Sequence, residues 1–226
     1  MKRLIVFIAG LALCLNLPAQ QKFEKTVPLN SAEKLNLEFS FADHIRLEAW
    51  SQSNVKVVVT VNINDGKDND KFDLETKRYG QTLEIKSEIQ DLEEIGETII
   101  KKNQKENIVI KKGRHVSIDM EVIVYLPGDI PVSVETIGGD IESKGMNAEL
   151  HLKSVSGDID VNWNNNAGAD LKLNTVSGKM YSDFNIPAQQ PKKFNYMPSS
   201  VSYIINNGGF GLELSTVSGN IYLRKR

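Results

Sequence analysis

The sequence predicts an all-β repeat fold, on two observations. Apolar and polar residues alternate with period 2 along much of the chain, and one strand-corner-strand unit recurs four times in its second half. Leu35, Leu37, Phe39 and Phe41 alternate with polar neighbours. So do Val55, Val57, Val59, Val61 and Ile63, and again Val116, Ile118, Met120, Val122, Val124 and Leu126. Alternation of this length puts the apolar side chains on one face of a strand, and the Val and Ile content suits a pleated, half-buried surface. Asn64-Asp65-Gly66 and Pro127-Gly128-Asp129 punctuate the runs as turns.

The first twenty residues stand apart. Lys2 and Arg3 precede an apolar run of 14 residues, Leu4 to Leu17, broken only by Asn16, and Pro18-Ala19-Gln20 follows with Ala19 as the small residue before a cut. This is the three-part layout of a secretory signal peptide, and the run falls short of the about 20 residues a spanning helix needs. The expected organisation is a signal peptide over residues 1–20 and a single β-repeat domain over 21–226, with no transmembrane segment in the mature chain. The protein is expected to be exported, to the periplasm, the cell surface or the medium. Cys14 is the single cysteine and lies in the leader, with Leu13 where a lipoprotein signal has a small residue. The mature chain therefore has neither a disulfide nor a thiolate metal site to stabilise it.

The chain holds 27 Lys+Arg against 29 Asp+Glu, and without Lys2 and Arg3 the balance is 25 against 29. This mild acidity excludes a nucleic-acid partner, which requires a concentrated basic face. Residues 65–113 are the most charged. Phe72 with Leu74, and Leu83 with Ile85, mark two further strands there. A polar excursion over about 91–106 follows, expected as a loop or one short helix.

From Val132 the chain repeats itself. The four units are 132–141, 150–159, 171–180 and 212–221, and each runs apolar-polar-apolar-polar into Thr136-Ile137-Gly138-Gly139, Ser154-Val155-Ser156-Gly157, Thr175-Val176-Ser177-Gly178 or Thr216-Val217-Ser218-Gly219. The corner glycines Gly139, Gly157, Gly178 and Gly219 are spaced by 18, 21 and 41 residues, so one degenerate unit is expected between Met180 and Leu212. A period near 20 residues indicates a solenoid-like array whose units bury their faces by stacking. The glycines suit a backbone with positive φ. The apolar residue two before each (Ile137, Val155, Val176, Val217) is expected to point inward, with the preceding hydroxyl residues aligned as a ladder.

The Thr/Ser-Val-Ser-Gly-Asp/Asn-Ile units resemble a family of exported bacterial β-strand-repeat proteins labelled adhesin-like, related to the head domain of autotransporter adhesins. Phe41-Ala42-Asp43-His44-Ile45-Arg46-Leu47-Glu48-Ala49-Trp50 resembles the family's first unit, and Tyr125-Leu126-Pro127 its lead-in strand. The resemblance spans about residues 30–226 and implies a right-handed, single-stranded β-helix-like fold. It brings no catalytic residue.

The sequence carries few chemical motifs. His44, His115 and His151 lack metal-pair spacing and read as polar strand-face residues. Asp158, Asp160, Asn162 and Asn164 alternate, but Trp163 and Ala169 stand where a calcium loop needs glycine and an acid. Neither a nucleophile elbow nor a phosphate loop occurs, and no catalytic, cofactor or metal residue is expected. Asp140 and Asp158 occupy equivalent corners, yet Lys179 and Asn220 replace them further on, which breaks the acidic row a carbohydrate-cleaving β-helix would use. Trp50 and Trp163 are the only tryptophans, and aromatics gather in 181–203: Tyr181, Phe184, Phe194 and Tyr196 either cover the open end of the solenoid or form an interaction surface. The expected function is a non-enzymatic, adhesin-like scaffold whose partner is an envelope component, a glycan or a protein. The alternative is a small carbohydrate-active β-helix protein that binds or cleaves polysaccharide.

Overall fold

The computed structural model describes residues 20–30, 33–95, 97–102, 109–186 and 199–226. The strands are β1 (Gln21–Pro28), β2 (Lys34–Glu38), β3 (His44–Trp50), β4 (Asn54–Ile63), β5 (Phe72–Tyr79), β6 (Thr82–Ile89), β7 (Glu97–Lys102), β8 (Val109–His115) and β9 (Ile118–Pro127). There follow β10 (Val132–Glu135), β11 (Asp140–Lys144), β12 (Leu150–Lys153), β13 (Ile159–Trp163), β14 (Ala169–Thr175), β15 (Met180–Ser182), β16 (Ser199–Ile205), β17 (Phe210–Thr216) and β18 (Ile221–Lys225). One 3-10 turn, Asn69–Lys71, precedes β5. No helix among the described residues is long and apolar enough to cross a membrane.

The strands form a β-solenoid-like stack of two mixed eight-stranded sheets. The first has the order β1-β4-β9-β3-β11-β13-β18-β15 and the second β16-β14-β17-β12-β10-β2-β6-β5. Each rung lays one strand in the second sheet, turns a corner and lays the next in the first. The rungs β2–β3, β10–β11, β12–β13, β17–β18 and β14–β15 stack in parallel in that spatial order. The sheets are open, with antiparallel strands at three of their four ends and the parallel strand β15 at the fourth. β1 and β4 extend the first sheet and β5 the second, with Phe23 meeting Phe72 at 4.8 Å. At the far end β16 lies antiparallel on β14.

Period 2 dictates the core. Leu83, Leu35, Val132, Leu150, Leu212 and Leu171 pair across six neighbouring strands of the second sheet, and all are buried. Val122, Ile45, Ile141, Ile159, Ile221 and Met180 form the matching row of the first sheet. The next row, Val124-Leu47-Ser143-Val161-Leu223, is broken by Ser143, whose fully buried hydroxyl has no hydrogen-bond partner among the described residues. An orphaned buried polar group costs about 1–3 kcal/mol. Ser143→Ala is therefore expected to raise stability by about 1 kcal/mol in urea unfolding. A loss of that size would show that the hydroxyl does have a partner.

Three features differ from the sequence expectations or go beyond them. First, spatial order is not chain order: the last repeat, β17–β18, inserts between the second and third. The route is a short reversal through Asn206 (φ 46°), Asn207 (φ 69°), Gly208 (φ 79°) and Gly209 (φ 146°), after which β17 pairs with the opposite edge of β14 from β16. The loop passes so close to Gly168 that a Cβ there would lie 1.9 Å from the Gly208 carbonyl oxygen. Second, the described part of the stretch between Met180 and Leu212 holds the antiparallel end strand β16 in place of a fifth repeat. Third, the excursion at 91–106 contains a hydrogen-bonded turn at 91–94 and then strand β7, which pairs with β8 apart from both large sheets. The β-branched runs Thr98-Ile99-Ile100 and Ile108-Val109-Ile110 favour strand there over loop or helix.

Candidate functional site: corners and outer faces of the solenoid

The repeated corner residues are occupied by holding rungs together. Ser154 Oγ donates to the Gly139 carbonyl (3.0 Å), Thr216 Oγ1 to that of Gly157 (2.9 Å) and Thr175 Oγ1 to that of Gly219 (2.9 Å), while each hydroxyl accepts from the glycine N–H of its own corner. Thr136 does the same against the Phe39 carbonyl at 2.8 Å. The expected hydroxyl ladder is thus present, and it is buried.

A second ladder runs beside it. Asp140 Oδ1 accepts the Asp158 N–H (2.8 Å), Asp158 Oδ1 that of Asn220 (2.6 Å) and Asn220 Oδ1 that of Lys179 (3.0 Å). In this series Lys179 sits on the last rung, where no further backbone N–H remains to be accepted.

The corner glycines are required by contact. None has positive φ, contrary to expectation; instead a Cβ on Gly157 would lie 1.9 Å from the Gly139 carbonyl oxygen, one on Gly219 1.9 Å from that of Gly157, and one on Gly178 1.7 Å from that of Gly219.

The residue expected to point inward points outward. Ile137, Val155, Val217 and Val176 are between 40% and 54% exposed. The carbonyls of Ile137, Val155 and Val217 accept the Ser156, Ser218 and Ser177 N–H of the next corner in turn, at 2.9 Å each, so the four residues stand in line. Phe41, 39% exposed, occupies the corner of the neighbouring β2–β3 rung. Strand alternation simply continues through the corner: Leu150 and Leu152 face in, Ser154 follows them, and Val155 falls outside. The result is a solvent-exposed apolar row with one residue per rung.

The outer face of the first sheet carries aromatic pairs at both ends of a charged strip. Trp50 stacks on Tyr125 at 5.5 Å, and Tyr181 on Tyr222 at 5.1 Å with the rings 8° apart. Between them Arg46 meets Glu142 (3.2 Å) and Glu48 (3.8 Å), Lys144 meets Glu142 (2.6 Å), and Arg224 Nε meets both oxygens of Asp160 (2.8 Å each). Lys144, and then Arg46, hold the Glu142 carboxyl below the usual carboxylate range, and Asp160 pushes the Arg224 guanidinium up.

Tyr181 is 47% exposed, whereas Phe184 is packed to 8% beneath the Lys225 ammonium. Trp163 is fully buried, so neither Phe184 nor Trp163 offers a ring to a partner. Phe194 and Tyr196 lie outside the described residues.

The outer face of the second sheet is charged and bears a shallow cleft whose rim includes Lys34, Ser133, Glu149 and His151. His151 contacts Glu149 (2.8 Å) and Glu213 (3.4 Å), and Lys172 lowers the Glu213 carboxyl. His44 lies 3.7 Å from Glu142, so both of these histidines sit on polar strand faces.

Residues 128–224 match the family model Toastrack DUF4097. No curated protein sequence matches the chain. A solved structure of a putative cell adhesion protein from Clostridium sporogenes superposes with a TM-score of 0.54 at 13% identity, covering 92% of this chain and 100% of that one. A putative adhesin from Bacteroides fragilis covers 92% of this chain and 99% of that one at 10% identity, with a TM-score of only 0.22. The matched segment opens after β9, yet β2–β3 and β9 stack on it in the same parallel register, so the solenoid extends beyond it. The chain is thus an all-β, β-solenoid-like protein whose residues 128–224 match the Toastrack DUF4097 family.

Proposed function

We propose that the protein is an exported, non-enzymatic, adhesin-like scaffold that holds a cell-envelope component, a glycan or another protein. The observation that carries this is the apolar row Ile137, Val155, Val217, Val176, with Phe41 exposed at the corner of the neighbouring β2–β3 rung. The side chains of the hydroxyl ladder and of Asp140, Asp158 and Asn220 are bound between rungs, while these apolar side chains face water on successive rungs and contribute no core. Contiguous exposed apolar surface of this kind marks interaction sites. The name of the Clostridium structure, a cell adhesion protein, supports the same direction. A right-handed, single-stranded winding, kinship with autotransporter head domains and a cleaved leader ending at Ala19 belong to this proposal.

The test is co-sedimentation of the full chain with envelope fractions of its own cells. Val155→Thr/Val217→Thr is expected to lower the bound fraction about tenfold with little change in thermal midpoint, because Thr matches Val in shape and both sites are exposed. Undiminished binding by the variant would remove the row from the function. N-terminal sequencing of the exported chain is expected to begin at Gln20 or Gln21.

Of the polysaccharide alternative, binding is the half proposed here. Asp140 and Asp158, its corner acids, accept backbone N–H groups of the next rung, whereas the aromatic pairs of the first sheet offer ring faces.

A further inference from the structure

We propose that the outer face of the first sheet is a binding surface for a neutral polysaccharide, with the Tyr181 ring as its stacking platform. The proposal deepens the scaffold reading and rests on it, but uses a different surface from the apolar row.

Three observations converge. Among the described residues β15 is the last strand of the first sheet, so Tyr181 stacks on Tyr222 with one ring face and no described strand lies opposite the other. A pyranose presents just such complementarity: one face of C–H bonds that packs on an aromatic ring, with hydroxyls around its edge. Aromatic rings supply this apolar contact at low entropic cost.

The hydroxyls have partners on the same face. Asp160 and Arg224 lie beside Tyr222, with the guanidinium 5.1 Å above that ring, and Asn162 pairs with Arg224 across the strands. A paired Arg and Asp present fixed donors and acceptors that polyols satisfy without bringing a charge of their own.

The charge of the strip selects the ligand class. Arg46, Lys144 and Arg224 are each paired with Glu48, Glu142 or Asp160, three cations against three anions. Such a strip has no net charge with which to draw in a polyanion or a polycation. From Tyr222 on β18 to Tyr125 on β9 there are four strand spacings, roughly 19 Å. The second aromatic pair, Trp50 with Tyr125, is also set two or more residues along the strands from the Tyr222 row, so an extended chain lying obliquely across the strands would meet it.

Native affinity electrophoresis of the full chain tests this, in gels containing laminarin, galactomannan or hydroxyethylcellulose as neutral probes and alginate as the anionic one. At least one neutral gel is expected to retard the protein, with retardation persisting at 0.5 M salt. Tyr181→Ala is expected to weaken that binding about tenfold, Tyr181→Trp to preserve it, and Tyr79→Ala, an exposed ring on β5, to leave it unchanged.

Retardation by alginate alone, lost in salt, would overturn the proposal in favour of an ionic surface. Equal retardation of Tyr181→Ala and the parent would place binding elsewhere and also overturn it. If no gel retards the parent while the Val155→Thr/Val217→Thr chain still loses envelope binding, the glycan surface fails and the scaffold reading stands. If that envelope test fails too, both fall together.

Discussion

A chain ending at Gly209 is expected not to fold. The deletion removes β17–β18, which in chain order is a dispensable terminal repeat and in space is a middle rung, hydrogen-bonded to β12 and β13 on one side and to β14 and β15 on the other. Leu212, Leu214, Ile221 and Leu223 leave the core with it. Burying four such side chains contributes about 6–12 kcal/mol at the usual value per residue, which is comparable to the whole net stability of a domain, about 5–15 kcal/mol. The rungs on either side would also expose their inner faces.

The expected circular dichroism signature is loss of the β signal and of a cooperative thermal transition. A truncated chain that still melts cooperatively would show that β14–β15, which carries the same motif, slides down onto β12–β13. In the intact protein the same topology predicts slow amide exchange in β17, flanked on both sides, although chain ends normally fray.

Gly157→Ala is expected to cost about 3 kcal/mol or more, against a change within about 0.5 kcal/mol for Gly138→Ala. The two residues occupy neighbouring positions of the same corner in adjacent rungs, and neither has positive φ. They differ in what lies beside them. A Cβ on Gly157 would sit 1.9 Å from one backbone carbonyl oxygen and 2.8 Å from the Asp140 backbone nitrogen, and one on Gly138 would meet nothing within 4 Å.

Backbone cannot step aside as a side-chain tip can, because moving it breaks the ladder in which Ser154 and Asp140 bind neighbouring rungs. Denaturant midpoints of the two variants measure the difference. Equal stability would mean that the rungs are spaced more loosely at this corner than the hydrogen bonds describe.

The corner shows how far local reading reaches. Its position, its glycine and its hydroxyl were legible, because they recur at fixed offsets. The direction of Ile137, Val155, Val176 and Val217 was misread because an apolar residue was assumed to be a buried one. The period-2 pattern running through Leu150, Leu152 and Ser154 already placed Val155 outside. The crossing loop was also written in the sequence, as Asn206-Asn207-Gly208-Gly209 with Gly168 beneath it, but nothing local says which strand such a loop crosses.

The sequence by itself determined the all-β class, the strongly alternating strands, the repeat and its corners. Each follows from side-chain period and turn chemistry within about ten residues, and neither depends on what the segment packs against. Tertiary structure alone decided the order of the rungs, the middle place of the last repeat and the pairing of Tyr181 with Tyr222 on the end of the first sheet. It also decided why the corners need glycine. The physical reason is that four similar repeats can stack in several orders with nearly the same local geometry. Only the whole set of rung-to-rung contacts selects one, and with it the residues that meet solvent.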